Sequence, residues 1–158
     1  MIASALAGGV IGTLAMTTMI KAATELGITR MDLSLLLGTV FTEHRRQARA
    51  VGYVMFFVIG VGFAEAYGEL FAIVGHASWR LGALIGVLHA VFTAAILVSV
   101  LLPVVHPRMA TPETAANDVT LIEPPGFLML NYGRNTFLVT LAAHIVYGAL
   151  VGLIVHVQ

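Results

Sequence analysis

The sequence predicts an all-α integral membrane protein, a four-helix bundle with a short interfacial helix after the first span. Three observations carry that reading. Of 158 residues, 59% are hydrophobic and 10% charged, and the mean hydropathy is +0.96, whereas a soluble domain carries roughly 25% charged residues. Four runs reach the length of about 20 predominantly apolar residues that crosses a bilayer as a helix, the form that satisfies every backbone polar group within hydrocarbon. Between those runs the polar and basic residues gather in two longer segments and one short one.

Composition also excludes function classes. Eight basic and eight acidic residues cancel, so the basic footprint of a nucleic-acid binder is missing. Without cysteine there are no disulfides, thiolate zinc sites, iron–sulfur clusters or covalent c-type haem. A metal ion here needs His and carboxylate ligands. No Walker lysine loop, nucleophile elbow or His-Glu-x-x-His zinc motif occurs, and Gly8 to Gly12 lies inside an apolar helix with no strand before it, unlike a dinucleotide fingerprint.

The first span, about 1–26, has no Lys or Arg before Lys21 and is read as a retained helix rather than a cleaved signal. Ala5, Gly8, Gly12 and Ala15 recur at the small-residue spacing that lets another membrane helix approach. The segment 27–38 is too short to cross and too apolar for a solvated loop. An interfacial helix fits, with Asp32 as N-cap and Gly38 as the C′ glycine. Residues 42–49 then begin the second helix before it enters lipid.

The second span, about 50–74, contains Glu65 and Glu69. Six residues ending in Trp79 and Arg80 join it to the third, about 81–104, which contains His89. So short a link predicts an antiparallel hairpin. The stretch 105–135 holds four of the five prolines and reads as a surface loop whose latter half returns to the membrane. The fourth span, about 136–155, carries Thr140, His144 and Tyr147, and the whole chain reads as one membrane domain, 1–158. Seven of the eight basic residues fall on the side shared by the loops 27–49 and 105–135. The positive-inside rule makes those loops cytoplasmic and places both termini outside.

Intramembrane ionisable groups are expensive, face protein or water, and are functional candidates by default. Glu65 and Glu69 share a helix face, and depth counting sets them level with His89. His144 is placed nearer the midplane, about 7 Å from the level of His89 at 1.5 Å rise per residue. With Thr13 and Thr17 these groups predict a polar seam. The structural expectation is that Glu65 hydrogen-bonds His89 or a tyrosine as interhelical glue while Glu69 reaches the outer headgroups.

The expected function is a non-enzymatic membrane subunit or scaffold associating with other membrane proteins, or a homo-oligomer, with lipid as its other partner. The alternative is a translocator of a divalent metal ion or proton using Glu65, Glu69, His89 and His144, residue types suited to zinc, manganese or iron. A second alternative is a haem or pigment subunit with His89 and His144 as axial ligands. No nucleophile supports an enzyme.

The segment Met31 to Thr39, the step His106-Pro107-Arg108-Met109, and the stretch from Gly126-Phe127 through Asn131-Tyr132-Gly133 to His144-Ile145-Val146-Tyr147-Gly148 resemble small uncharacterised bacterial four-span membrane proteins of the domain-of-unknown-function type. The resemblance covers nearly the whole chain. It implies a bacterial inner membrane and supplies no catalytic residues.

Overall fold

A computed structural model describes residues 2–110 and 122–157. The fold is all-α, and no β-strand occurs among the described residues beyond an isolated bridge between Met109 and Ile122. Helix α1 is Ile2–Glu25, α2 is Leu33–Gly38, α3 is Arg45–Val74, α4 is Trp79–Val105 and α5 is Thr136–Ile154. All but α2 are long and apolar enough to cross a membrane, which marks a multi-pass membrane protein. The middle of the expected 105–135 loop, residues 111–121, lies outside the described residues.

Glycine decides which helices touch. Gly8 and Gly12 turn α1 onto α5, where a Cβ would stand 3.4 Å from the Val151 Cα and 2.9 Å from the Tyr147 ring. The tighter crossing is α4 on α5. A Cβ on Gly82 would meet the Gly148 carbonyl oxygen at 2.0 Å, and one on Gly86 would meet that of His144 at 2.3 Å. Backbone therefore lies on backbone there. In lipid, where apolar burial adds little, such close packing supplies the association energy.

The connection between α3 and α4 is the short turn the sequence predicts, but the two helices do not pack along their length. Helix α3 leans on α1 and α2, α4 leans on α5, and α1 joins the two pairs. A lateral cleft is left between α3 and α4. The physical reason is the placement of the glycines: α4 spends Gly82 and Gly86 on α5, and α3 spends Gly52 on α2 and Gly60 on α1.

Asp32 caps α2 as its sequence predicts, accepting from the Leu35 amide at 3.0 Å and the Ser34 hydroxyl at 2.7 Å, with the Arg49 guanidinium 3.0 Å away. Partial burial opposes ionisation, yet those hydrogen bonds and the Arg49 charge hold the carboxyl below its usual range. Gly38 corrects the expectation of a C′ glycine. It is the last helical residue, followed by Thr39 in right-handed conformation, and a Cβ on it would lie 1.6 Å from the Ala48 carbonyl oxygen. Close approach to α3, not a left-handed backbone, requires glycine there. Gly27, at φ +70°, and Gly75, at φ +83°, are the glycines that end helices in the left-handed manner, Ile28 donating back to the Ala23 carbonyl at 2.9 Å after the first.

The α2 end of the bundle is sewn together by polar contacts. The hydroxyls of Thr29 and Thr136 meet at 2.7 Å, and the Arg30 amide donates to the Tyr132 carbonyl at 2.8 Å. His106, just past α4, is buried against α2. Its Nδ1 accepts from the Arg108 amide at 3.1 Å, so Nε2 carries the proton and donates to the Leu36 carbonyl at 3.1 Å. The Arg108 guanidinium donates to the Thr39 carbonyl at 2.7 Å.

Burial pushes His106 below its ordinary value of 6.5, aided by the Arg108 charge and opposed by the Leu36 bond. The unfolded chain then binds the proton first as pH falls. Stability is complete above about pH 6.5, the unfolded value, and is lost as pH drops below it towards the folded value. Thermal melts of detergent-solubilised protein between pH 8 and pH 5 should therefore fall more steeply for the native chain than for His106→Gln, which keeps a donor for the Leu36 carbonyl. Parallel curves would remove His106 as the cause.

Thr13 makes a prediction of opposite sign. It is 0% exposed, pressed on Gly60, and its hydroxyl has no hydrogen-bond partner. A buried hydroxyl without a partner costs about 1–3 kcal/mol, so Thr13→Val, which keeps the shape, should leave the melting temperature unchanged or raise it. A lower melting temperature would show that the hydroxyl is bonded.

Candidate functional site

At mid-height, aromatic and imidazole rings from α3, α4 and α5 form one cluster. Along α3, Phe63 and Tyr67 lie one turn apart and face α4. The Phe63 ring centroid is 4.0 Å from that of His89, and the Tyr67 hydroxyl is 3.2 Å from His89 Nδ1. His89 and His144 stand edge to face with centroids 4.7 Å apart, and Tyr147 meets Tyr67 in the same manner at 5.6 Å. The Tyr147 hydroxyl donates to the Gly60 carbonyl and ties α5 to α3.

Depth counting separates His89 from His144, and the structure corrects this. Gly86 rests on the His144 carbonyl, so His89, one turn further along α4, comes directly beside the His144 ring. His144 Nδ1 lies 2.8 Å from the Thr140 carbonyl. A carbonyl only accepts, so Nδ1 carries the proton and Nε2 is a bare acceptor. Neither imidazole Nε2 has a hydrogen-bond partner among the described residues.

These rings form the deep end of the cleft between α3 and α4, a cavity of about 200 Å³. Its walls are apolar, from Phe56, Ile59, Leu97 and Leu102 among others, and the polar side chains along it belong to His89, Thr93, Thr140, His144 and Tyr147. The hydroxyls of Thr93 and Thr140 are buried without partners. Met129 closes the α2 end. It is held there by two consecutive left-handed residues, Leu128 at φ 51° and Met129 at φ 60°, a conformation costing L-residues about 1–2 kcal/mol each.

The carboxylates are elsewhere. Glu65 is half-buried, Glu69 is exposed, and neither makes a hydrogen bond or ion pair among the described residues. The expected glue between Glu65 and His89 is not formed, because Tyr67, two residues on and about 200° around the helix, takes that place. No group of three or more His, Asp or Glu able to hold a metal ion occurs among the described residues, so Glu65, Glu69, His89 and His144 are not brought into one constellation. As for haem, a bis-His site puts a macrocycle between its two imidazoles. Rings of His89 and His144 in edge contact leave no gap for one. His44, His76 and His156 are exposed.

Sequence reasoning missed Phe63, Tyr67 and Thr93. The signal was present: Phe63 and Tyr67 repeat at four residues, and Thr93 follows His89 by four as Thr140 precedes His144 by four. Comparison with protein-family models, curated proteins and solved structures returned no match. The four apolar helices remain what ties the chain to small membrane proteins.

Proposed function

We propose that the chain is a non-enzymatic subunit of a larger membrane assembly and docks a partner's transmembrane helix on the outward face of α3. The pair Glu65 and Glu69 carries this reading. Counted along α3, Glu65 falls within the hydrocarbon, where an ionised carboxylate costs several kcal/mol unless it is paired or protonated, Glu69 lies one turn nearer the outer headgroups, and neither has a partner within the described chain. They flank Gly62 and Ala66, both exposed. A Cβ on Gly62 would meet nothing within 4 Å, so a second backbone has room to approach.

The complementary partner is a helix bringing Lys or Arg to the depth of Glu65. A second copy of this chain is disfavoured, since a two-fold contact through this face would set Glu65 against Glu65. Translocation through a joint Glu and His site is disfavoured by the opposite facing of Glu65 and Tyr67 on α3. The basic bias of the loops supports an orientation with both termini outside, and the resemblance to bacterial four-span proteins supports a bacterial inner membrane.

The absence of cysteine makes the test direct. Ala66→Cys, the sole thiol of its variant, should cross-link to a companion protein in native membranes, while Leu84→Cys, on the lipid-exposed side of α4, should not. A chain that migrates alone in mild detergent and gives no Ala66→Cys adduct overturns the proposal.

A further inference from the structure

The cleft between α3 and α4 has the attributes of a binding site that the docking face does not explain, and it opens on a different side of α3. Its walls are apolar. Its deep end offers a bare imidazole acceptor on His144, and Thr93 and Thr140 line it, their hydroxyls buried beneath the cavity surface without partners. The great majority of buried polar atoms are satisfied, so an unpartnered imidazole nitrogen beside two orphan threonine hydroxyls along one cavity favours an occupant that carries polar atoms of its own.

Chemistry narrows that occupant. Since His144 Nδ1 is committed to the Thr140 carbonyl, Nε2 accepts and the ligand must donate. Threonine hydroxyls give and take, and suit a second oxygen on the same molecule. The ring faces of Phe63, His89 and Tyr147 along the cleft favour an aromatic group. A cavity of about 200 Å³ exceeds the 150 Å³ that accommodates benzene, which allows one substituted six-membered ring and no macrocycle. The gap left where α3 and α4 do not pack along their length provides space for an apolar tail.

We infer that this cleft binds the ring of a lipid-soluble quinol or phenol, its hydroxyl donating to His144 Nε2 and its oxygens met by Thr93 and Thr140. Binding requires no chemical change in the ligand, and none is assigned.

The test uses the full chain in nanodiscs of defined phospholipid, with decyl-hydroquinone and its di-O-methyl ether as probes. Equilibrium dialysis should give saturable binding of the hydroquinone and about tenfold weaker binding of the ether, which has lost the donor. His144→Phe should weaken the hydroquinone by a similar factor, and Thr140→Val, which keeps the side-chain volume, should do so in smaller degree. Leu84→Ala on the lipid face should change nothing. A shift of the His144 imidazole nitrogen resonances by the hydroquinone and not by the ether reports the contact without mutation. Non-saturable partitioning, equal affinity for the two probes, or a folded His144→Phe that binds like the native chain would each overturn the inference. The nanodiscs hold no companion protein, so these outcomes are independent of partner docking on α3.

Discussion

Gly148→Ala is expected to unfold the bundle at markedly lower temperature than the native chain. In a helix interior alanine is favoured over glycine by about 1 kcal/mol, and on propensity alone the substitution should stabilise. Packing wins. The added Cβ would stand 2.1 Å from the Gly82 carbonyl oxygen, a backbone atom with no rotamer to change, and Gly82 meets the same obstacle from the other side at 2.0 Å. Either α4 moves off α5, or the contact is forced at the cost of about 1–3 kcal/mol or more typical of overpacking. Because Gly86 seats the His144 carbonyl in the same crossing, withdrawal of α4 also separates His89 from His144. Gly62→Ala is the matched comparison. With nothing within 4 Å of its Cβ, it should follow propensity and raise the melting temperature of the isolated chain. A Gly148→Ala protein that behaves like Gly62→Ala would show that the α4–α5 backbones do not touch.

The second large effect concerns partners. Glu65→Leu combined with Glu69→Leu should abolish co-purification of the companion while leaving the isolated chain as stable as before, or more so. Removing one side of a buried charge pair leaves the other charge uncompensated, which costs about 3–5 kcal/mol and weakens association by at least 100-fold. For the chain alone the sign reverses. Two carboxylates become two leucines, a change in favour of the membrane that is about 3 kcal/mol for a charged residue at the helix centre on insertion scales and smaller for Glu69 towards the rim. The double change to glutamine keeps hydrogen-bonding groups and should lose less. Blue-native migration and companion yield, measured with the melting temperature of each variant, separate loss of docking from loss of fold. Undiminished companion yield from the double leucine variant would end the docking proposal.

The architecture was legible because hydrocarbon imposes one rule on every helix, so the spans stand out as lengths of apolar sequence. Neighbours were not legible. The spacing that marks Gly8 and Gly12 recurs at Gly82 and Gly86 and again at Gly148 and Gly152, yet nothing in the spacing says that the last two pairs meet each other. The short link between α3 and α4 suggested packing that the glycines direct elsewhere. The candidate site was half visible for the same reason. His89 and His144 were recognisable by type, whereas their contact depended on the crossing at Gly86. Glu65 attracted attention as the ionisable group nearest His89 by depth, but azimuth decides partners, and azimuth gives His89 to Tyr67. Gly38 shows a related limit, since a glycine at a helix end serves the turn or a neighbouring backbone, and only the neighbour's position distinguishes the two.

The separation of α3 from α4 also bears on how the chain assembles as it is made. Helices enter the membrane first and pack afterwards, and chains are synthesised from the N-terminus. By the time α3 has been inserted, α1 and α2 are already present and can receive it. Helix α4 emerges next with its glycine face unmatched, because the surface made for it belongs to α5. Until α5 arrives, α4 is tethered by four residues to a helix it meets only around the His89 ring, and its small-residue face is open to lipid or to a chaperone of membrane insertion. The bundle therefore closes in one late event, when α5 docks on α4 and α1 together. A ribosome-stalled chain lacking α5 should be the species most readily captured by such a factor.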